Sequence, residues 1–273
     1  MLLCFDIGNS HVHAGVFDGG RLAAQFRRTT TPVATSDELG VFFTAALREN
    51  GIEPRSVRRT AICSVVPAAS YSLRSACLKY FRSEPFVLQA GVKTGLRIRY
   101  RNPHEVGADR IANAIAAVQL HPGCDLLVVD FGTATTIEAV TAAGDYLGGA
   151  ILAGVGLSAE TLSSRTAKLP SVEIARPPAS LGRTTVESIQ SGLFHGHAGA
   201  VRQLCRLIAD EAFPGGKPRV LGTGGFARMF DGEGLFDEFA PELVLLGLKR
   251  AVELNSDASA PSPDAGPSRR QSS

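Results

Sequence analysis

The chain has 273 residues, of which 44% are hydrophobic, 20% charged and 7% aromatic, and its formal net charge is +2. This length suits one large domain or two domains of about 100–150 residues each, with enough apolar material for a sizeable core. The near-neutral charge argues against a nucleic-acid partner, and the lack of any long apolar run argues against a membrane span.

The first part of the chain alternates between strand and helix patterns. Short apolar or alternating runs bounded by Gly and Pro predict strands, and a Ser at position 36 followed by two acidic residues predicts the cap of a helix. The predicted strands are 2–8, 11–18, 21–29, 59–66 and 85–89, and the predicted helices are 36–50, 68–81 and 105–120.

The pattern then begins again. Strands are predicted at 125–132 and 134–141, with a turn and a third strand within 142–152, and a further strand at 219–226 enters a Gly turn. Helices are predicted at 156–166, 185–212 and 242–254. The stretch 255–273 is rich in Ser and Pro and poor in apolar residues, which predicts a disordered tail.

The second beginning is an internal repeat. The segments LLCFDIGNSHVHAGVFDGGRL and LLVVDFGTATTIEAVTAAGDYL both read apolar strand, Asp, apolar residue, Gly, small polar residue, second strand, turn and third strand. Asp6 thus corresponds to Asp130, and Asn9 to Thr133. A repeat of this size predicts two similar α/β domains, which we place at 1–114 and 115–254.

The repeated turn has a chemical use. Asp130-Phe131-Gly132 matches the magnesium-binding triplet of protein kinases, but the other kinase motifs are absent. A strand that ends in Asp-x-Gly, followed by hydroxyl or amide residues, can present backbone N–H groups to phosphate oxygens, while its carboxylate holds a cation. Two such turns across a cleft would clamp a polyphosphate, an arrangement that resembles the actin, sugar-kinase and Hsp70 superfamily. The resemblance implies an α/β fold of two ribonuclease H-like domains, with the turn at 221–227 holding adenosine.

A second informative segment is the start of the predicted helix near residue 108. Asp109 lies where the positive end of the helix dipole would keep it ionised, with Arg110 beside it. An ordinary helix-start Asp with a salt-bridge neighbour and a general base for phosphoryl transfer both fit the segment taken alone.

Cysteine and histidine spacing gives no metal or disulfide pattern. Five cysteines lie far apart with no C-x-x-C, which predicts reduced thiols in a cytoplasmic protein. The pairs His11/His13 and His195/His197 lack the spacing and carboxylate partners of a metal site, so we interpret them as surface or phosphate-loop residues. Glu160, Glu187 and Lys168 are assigned structural roles.

Several stretches together resemble one family, the type III pantothenate kinases, which also contains the Bvg accessory factor proteins. The matching stretches run in order from residue 2 to about 254: DIGNSHVHAGVF (6–17), GVKTGL (91–96), NPHEVGADRIANAIAA (102–117), VVDFGTATTIEAV (128–140), LGGAILAGVGLSAETLSSRTAKLP (147–170), LGRTTVESIQSGLFHG (181–196) and LGTGGFA (221–227). One departure is Ser10, where the family more often has Thr; both side chains carry a hydroxyl.

The resemblance implies an enzyme that phosphorylates pantothenate to 4'-phosphopantothenate with ATP and Mg²⁺, the first step of coenzyme A biosynthesis. It implies a cytoplasmic homodimer with the substrate site near the subunit interface. Asp109 would be the catalytic base, and Asp130 would bind a monovalent cation, K⁺ or NH₄⁺. ATP would contact Asp6, Ile7, Gly8, Asn9, Ser10, His11, Val12, His13 and Thr133. Pantothenate would contact Tyr100, Gly107, Ala108, Asp109, Arg110 and Thr185.

Two alternatives stay open at this point. One is a non-enzymatic accessory protein of the same fold that affects gene expression, against which the intact Asp6, Asp109, Asp130 and Thr133 weigh. The other is a kinase of the same superfamily that acts on a different alcohol or carboxylate, since the sequence pattern does not define the shape of a pocket. Arg110 could serve either the transferring phosphoryl group or a substrate carboxylate.

Overall fold

The computed structural model describes residues 1–31 and 34–256. The first part of the chain forms a five-stranded mixed sheet with the order β3-β2-β1-β4-β5. β1 is antiparallel to β2 and parallel to β4, while β3 extends the sheet as an antiparallel hairpin partner of β2. The strands are β1 (Leu2–Ile7), β2 (His11–Asp18), β3 (Arg21–Thr29), β4 (Arg59–Ser64) and β5 (Phe86–Val87).

The second sheet repeats this topology. Its order is β11-β10-β7-β8-β9-β6, and apart from the added β6 it has the same sequence of parallel and antiparallel neighbours as the first sheet. The two α/β halves inferred from the repeat are therefore confirmed as a fold. The strands are β6 (Arg97–Ile98), β7 (Leu126–Phe131), β8 (Ala134–Val140), β9 (Asp145–Ala153), β10 (Arg219–Thr223) and β11 (Glu238–Phe239).

Two helices join the halves. α3 packs on β7 and β8 of the second sheet and on β4 of the first, α7 packs on β1, β2 and β4 of the first, and the two helices pack against each other. They approach closely because Gly247 has no side chain: a Cβ there would lie 1.8 Å from the carbonyl oxygen of Ala112. The helices are α1 (Ser36–Glu49), α2 (Pro67–Ala76), α3 (Ala108–Leu120), α4 (Val155–Arg165), α5 (Thr185–Ser191), α6 (His197–Ala212) and α7 (Leu243–Ser256).

The start of α1 differs from the prediction by one residue. Thr35, not Ser36, is the N-cap: its Oγ1 accepts a hydrogen bond from the Glu38 backbone N–H at 3.2 Å, and Glu38 Oε2 accepts from the Thr35 N–H at 2.7 Å. This reciprocal pair is a capping box, which needs a Glu three residues after the cap. Only Thr35 has a Glu at that spacing.

Three predicted helices differ from the observed ones: one begins later, and two change their hydrogen-bond register. The predicted helix 105–120 begins only at Ala108, after a 3₁₀ turn at Pro103–Glu105 and an extended Gly107. The predicted helix 68–81 changes to π-helical hydrogen bonding at Cys77–Phe81, and the predicted helix 185–212 does so at Gly192–Gly196. Apolar periodicity does not distinguish these variants from a continuous α-helix, because it reports which face is buried and not the hydrogen-bond register.

The last residues also depart from expectation. Asn255 and Ser256, placed in the predicted tail, belong to α7, and the rest of that predicted tail, 257–273, lies outside the described residues. Among the residues described, no helix has the length and apolarity needed to cross a bilayer.

Candidate active site

The two repeated turns have the same internal closure. The Gly8 N–H donates to the carbonyl of His11 at 3.0 Å, and the Gly132 N–H donates to the carbonyl of Ala134 at 3.1 Å. The first turn has one more residue than the second, since β1 and β2 are separated by 8–10 and β7 and β8 by 132–133. Each turn therefore follows a strand whose second-last residue is an Asp, and its tip presents backbone and hydroxyl groups.

The tips of the two turns touch. Ser10 Oγ and Thr133 Oγ1 lie 2.7 Å apart, although the residues are far apart in sequence. The first turn is braced by Thr30, whose Oγ1 donates to the carbonyl of Gly8 at 2.7 Å. The second is braced by Gly154, whose N–H donates to the carbonyl of Thr133 at 3.0 Å. The two turns face each other across one opening.

The late Gly turn packs directly behind the second Asp. Gly224 has φ +92°, a conformation that favours glycine. A Cβ on Gly224 would lie 2.4 Å from Asp130 Oδ1 and 2.6 Å from the backbone nitrogen of Phe131. The Phe226 N–H donates to the carbonyl of Phe131 at 3.1 Å. Glycine is thus required at 224 for two independent reasons, left-handed backbone and close contact.

The turns border a cleft of about 660 Å³. Of the residues predicted to bind or to act, ten line it: Asp6, Gly8, Asn9, Ser10, His11, His13, Asp109, Arg110, Asp130 and Thr133. Ile7 and Val12 are buried in the core of the first half, so only their backbones can meet a ligand. Tyr100, Gly107, Ala108 and Thr185 do not line the cleft.

Asp6, Asp109 and Asp130 are three of the carboxylates that line this cleft. Burial raises the pKa of Asp6 well above its usual value, and the charges of Asp109 and Asp130 raise it further, against the lowering influence of Arg27. Burial raises the pKa of Asp130 to about 6, with a hydrogen bond from Asn113 opposing the rise. A site that crowds buried carboxylates in this way favours a bound cation, which would relieve the repulsion.

Asn113 holds Asp130 in place. Its Nδ2 donates to Asp130 Oδ2 at 2.9 Å, and its side chain is 1% exposed. Asn113 lies one turn after Asp109 on α3, so the same helix face carries both groups. The role of Asn113 was missed from the sequence, where it stands within an Ala-rich helix; its spacing of four residues from Asp109 was the one available signal.

Asp109 lies in the first turn of α3, as predicted. Burial raises the pKa of Asp109 and so works against the ionised form that the helix terminus was expected to favour, while the backbone N–H and the charge of Arg110 offset the rise in part. That N–H donates to Asp109 Oδ1 at 2.8 Å. The loss of hydration outweighs the helix dipole, because the carboxylate faces the interior of the cleft.

Other residues differ from their expected roles. Glu160 lines the cleft from α4, although the sequence suggested a structural role. His197 is 8% exposed, and its Nε2 lies 2.9 Å from Thr135 Oγ1, so it is a buried residue and not a surface one. Among the described residues, no group of three or more His, Cys, Asp or Glu is arranged to hold a metal ion by itself.

Comparisons with known proteins identify relatives of this chain. A family profile described as type III pantothenate kinase matches residues 2–207. The type III pantothenate kinase of Legionella pneumophila (strain Corby) is 57% identical over 256 residues, 94% of this chain and 100% of that protein. The type III pantothenate kinase of Elusimicrobium minutum is 42% identical over 255 residues, 93% of this chain and 99% of that protein.

Solved structures show the fold at much lower identity. A Baf family protein of Campylobacter jejuni matches with a TM-score of 0.58 and 19% identity, covering 93% of this chain and 99% of the other. A protein of Sinorhizobium meliloti assigned as a 2-dehydro-3-deoxygalactonokinase matches with a TM-score of 0.57 and 12% identity, covering 93% and 98%. The architecture is therefore that of the sugar-kinase and actin-like proteins, and by its sequence the chain belongs to the type III pantothenate kinase family.

Proposed function

We propose that this protein transfers the γ-phosphoryl group of ATP to the alcohol of pantothenate, the first step of coenzyme A biosynthesis. The observation that carries this proposal is the meeting of both Asp turns and Asp109 in one cleft. A phosphoryl transfer needs a cradle for the triphosphate, a cation to offset its charge and a base for the acceptor hydroxyl, and each has a candidate here.

Each residue then has a step in the reaction. The turn tips at Ser10 and Thr133 and the backbone N–H groups beside them bind the phosphates. Asp109 accepts the proton of the acceptor hydroxyl as its oxygen bonds to the γ-phosphorus, and the bond from that phosphorus to the β–γ bridging oxygen breaks to release ADP. The raised pKa of Asp109 suits this task, since a base works best when its pKa lies nearer the working pH.

The cations fit the donors that are present. Mg²⁺ is usually held by one or two carboxylates together with substrate phosphates and water, and the cleft offers Asp6 and Asp130 as candidate carboxylates. Mg²⁺ bound with ATP would offset charge on the phosphates. We further assign a monovalent cation, K⁺ or NH₄⁺, to Asp130, whose carboxylate is oriented by Asn113 and crowded by other acids.

The acceptor end is proposed to be completed in a homodimer. Thr185 is exposed and lies outside the cleft of its own chain, so its expected contact with pantothenate requires a second copy. Large apolar side chains are exposed in the same part of the chain, which supports a covered surface there: Ile151, Leu157, Leu181 and Val186. Asp109 and Arg110 would contact the acceptor from the cleft, and Tyr100, Gly107 and Ala108, which lie beside these two residues and not in the cleft lining, would complete the acceptor site.

Three further assignments belong to this proposal. We keep the division into domains 1–114 and 115–254, with the boundary inside α3. We assign a cytoplasmic location, which the proposed use of ATP and the five free cysteines support. The accessory-protein alternative gains no support from the comparisons, because the Baf family structure is 19% identical and carries only the fold.

The first experiment measures ADP release with and without pantothenate, in potassium and then in sodium buffer. We expect turnover that depends on pantothenate and is higher in potassium. A panel of other alcohols and hydroxy acids tests the choice of acceptor. Release that is independent of pantothenate, or faster with another acceptor, would contradict the proposed substrate.

The cation assignment has its own variant. In Asp130→Ala, potassium activation should disappear, because the carboxylate that holds the ion is gone. The measurement is turnover against potassium concentration at saturating ATP and pantothenate. Activation at the wild-type potassium concentration would move the cation to another site.

A further inference from the structure

A buried polar cluster lies beside the cleft, where the second sheet meets α3. It consists of Arg110, Glu138 and Tyr146, which are 7%, 0% and 0% exposed. Glu138 is on β8 and Tyr146 on β9. Charged side chains are almost never buried to this extent without a partner, so each group must be accounted for by the others.

Three donors converge on one carboxylate. Arg110 Nε donates to Glu138 Oε1 at 2.6 Å, and Arg110 Nη2 donates to Oε2 at 2.8 Å. The hydroxyl of Tyr146 donates to the same Oε2. The two parallel hydrogen bonds fix the guanidinium in its plane as well as in its position.

Aromatic rings hold the guanidinium on its flanks. The Arg110 Cζ lies 5.8 Å from the ring centre of Tyr100 and 6.0 Å from that of Tyr146. Tyr100 reaches this place over Gly148, where a Cβ would lie 3.2 Å from its ring. These contacts set the guanidinium among Tyr100, Tyr146 and Glu138. The two Asp-x-Gly turns, which we propose bind the phosphates, instead contact each other, Gly154 and Gly224.

A cluster of this kind is a poor device for stability. A buried ion pair gains little or nothing over apolar residues of the same volume, because both charges lose their hydration. Arg110 also lines the cleft, next to Asp109. A guanidinium has five N–H donors, of which Glu138 takes one from Nε and one from Nη2 and Tyr100 takes a third, so donors remain for a ligand.

We propose that Glu138 is a positioning residue for recognition of the acceptor: it fixes the Arg110 guanidinium so that its remaining N–H groups bind the acceptor carboxylate, and the Tyr146 hydroxyl holds Glu138 in turn. This rests on the proposed function, and it assigns Arg110 to the acceptor and not to the phosphoryl group.

The test begins with Glu138→Gln, which keeps the shape of the side chain but removes its charge and one acceptor oxygen. We expect KM for pantothenate to rise about tenfold or more, with KM for ATP changing less than about twofold, because only acceptor binding uses Arg110. Tyr146→Phe removes one supporting hydrogen bond and should raise KM for pantothenate by a smaller factor. Equal rises in both KM values would overturn the proposal.

A double-mutant cycle separates positioning from a merely structural role. Glu138→Gln is introduced into the wild type and into Arg110→Met, and kcat/KM for pantothenate is measured below saturation. If Glu138 acts through Arg110, its substitution costs nothing further in the Arg110→Met background. The same fold loss in both backgrounds contradicts the proposal.

Two controls keep the outcome decisive. If Glu138→Gln does not fold, as judged by its thermal transition, Tyr146→Phe is carried through the same cycle with the same expectation. Pantothenate-dependent turnover of the wild type is measured first. Its absence refutes the proposed function, whereas its presence with an additive cycle refutes only the role of Glu138.

Discussion

The two halves of the molecule differ in character at one equivalent position in their second strands. In the first sheet Cys4 of β1 pairs with Gly15 of β2, and at the same place in the second sheet Val128 of β7 pairs with Glu138 of β8. A Cβ on Gly15 would lie 2.7 Å from the side chain of Leu245 on α7. Glu138 instead receives Arg110 from α3.

The difference shows how one topology serves two purposes. In the first half, α7 makes an apolar contact with the sheet at this position, and this contact helps to hold the halves together. In the second half, the equivalent contact is charged, and the helix that makes it also carries Asp109 and Asn113. Both halves supply an Asp-x-Gly turn, but Asp109 and Arg110, the residues proposed for proton transfer and acceptor binding, both lie on α3.

The largest expected effect tests whether proton transfer depends on α3. Asp109→Asn should lower turnover about 10²–10⁴-fold, the usual contribution of a general base, while nucleotide binding persists. Steady-state ADP release measures the first quantity and calorimetric titration with ATP the second.

The matched control is Asp37→Asn, which changes an Asp in the first turn of α1, where it pairs with Lys79 on the surface. It should leave turnover unchanged. Turnover of Asp109→Asn close to the wild-type rate would remove Asp109 from the mechanism.

The next prediction breaks the contact between the two central helices. Gly247→Ala places a methyl group against the backbone of α3, where a Cβ would lie 1.8 Å from the Ala112 carbonyl oxygen. Since backbone cannot give way as a side chain does, we expect a loss of about 3 kcal/mol in the free energy of unfolding, measured by urea denaturation.

Gly199→Ala is its control, because Gly199 lies in α6 and no atom lies within 4 Å of the position that a Cβ would take. It should be neutral or stabilising by up to about 1 kcal/mol, through helix propensity. Similar losses in the two variants would refute the close approach.

The third prediction concerns the buried carboxylate of the second turn, Asp130. Burial raises the pKa of Asp130 to about 6 in the folded state, above its usual value near 3.9 when unfolded. The folded protein therefore binds a proton that the unfolded chain has released, and its stability falls as the pH rises from about 4 to about 6. Asp130→Asn removes this loss.

The measurement is the unfolding free energy of Asp130→Asn and wild type in potassium-free buffer. The variant should gain on the wild type with rising pH, by roughly 1–3 kcal/mol at pH 7, and little at pH 4. Asp145→Asn gives the contrast: hydrogen bonds from Arg97 and Arg99 lower the pKa of Asp145, so its effect should be constant between about pH 5 and 7. A constant difference for Asp130→Asn would contradict the burial of its charge.

The smallest effect concerns the contact between the turn tips. Ser10→Ala and Thr133→Ala each remove one partner of the 2.7 Å hydroxyl contact. Because both residues are exposed, the coupling energy in a double-mutant cycle on the ligand-free protein should be about 0.5–1 kcal/mol. Coupling indistinguishable from zero would mean that the turns do not touch in solution.

Much of the fold and part of the site followed from patterns in the sequence. The repeat was visible because each copy has its strand, Asp, Gly and hydroxyl residue within one short segment. Local periodicity located most strands and helices. The prediction was weaker where hydrogen-bond register mattered, as at the Thr35 cap and at the two π-helical segments. Apolar spacing changes little between these alternatives.

The partners of the predicted site residues were not predictable in the same way. Glu138 and Ala139 stand in an alternating strand, with no sign that the Glu points inward toward Arg110, and Asn113 stands among alanines. Glu138 matters because it contacts Arg110, 28 positions away along the chain, and Asn113 because it contacts Asp130, 17 positions away. Such pairings depend on how a helix is seated on a sheet, which no local pattern records.

The sequence by itself determined that this protein has two Asp-ended turns of one design and an Asp at the start of an Ala-rich helix. Only the tertiary structure decided that the turns meet tip to tip at Ser10 and Thr133 and that Asp109 shares their cleft. The physical reason is that the packing of α3 against α7, made possible by Gly247, brings the halves together. The chemistry of each turn depends on residues that are neighbours in the sequence. The distance between the turns depends on how α3 and α7, which are far apart in the chain, pack against each other.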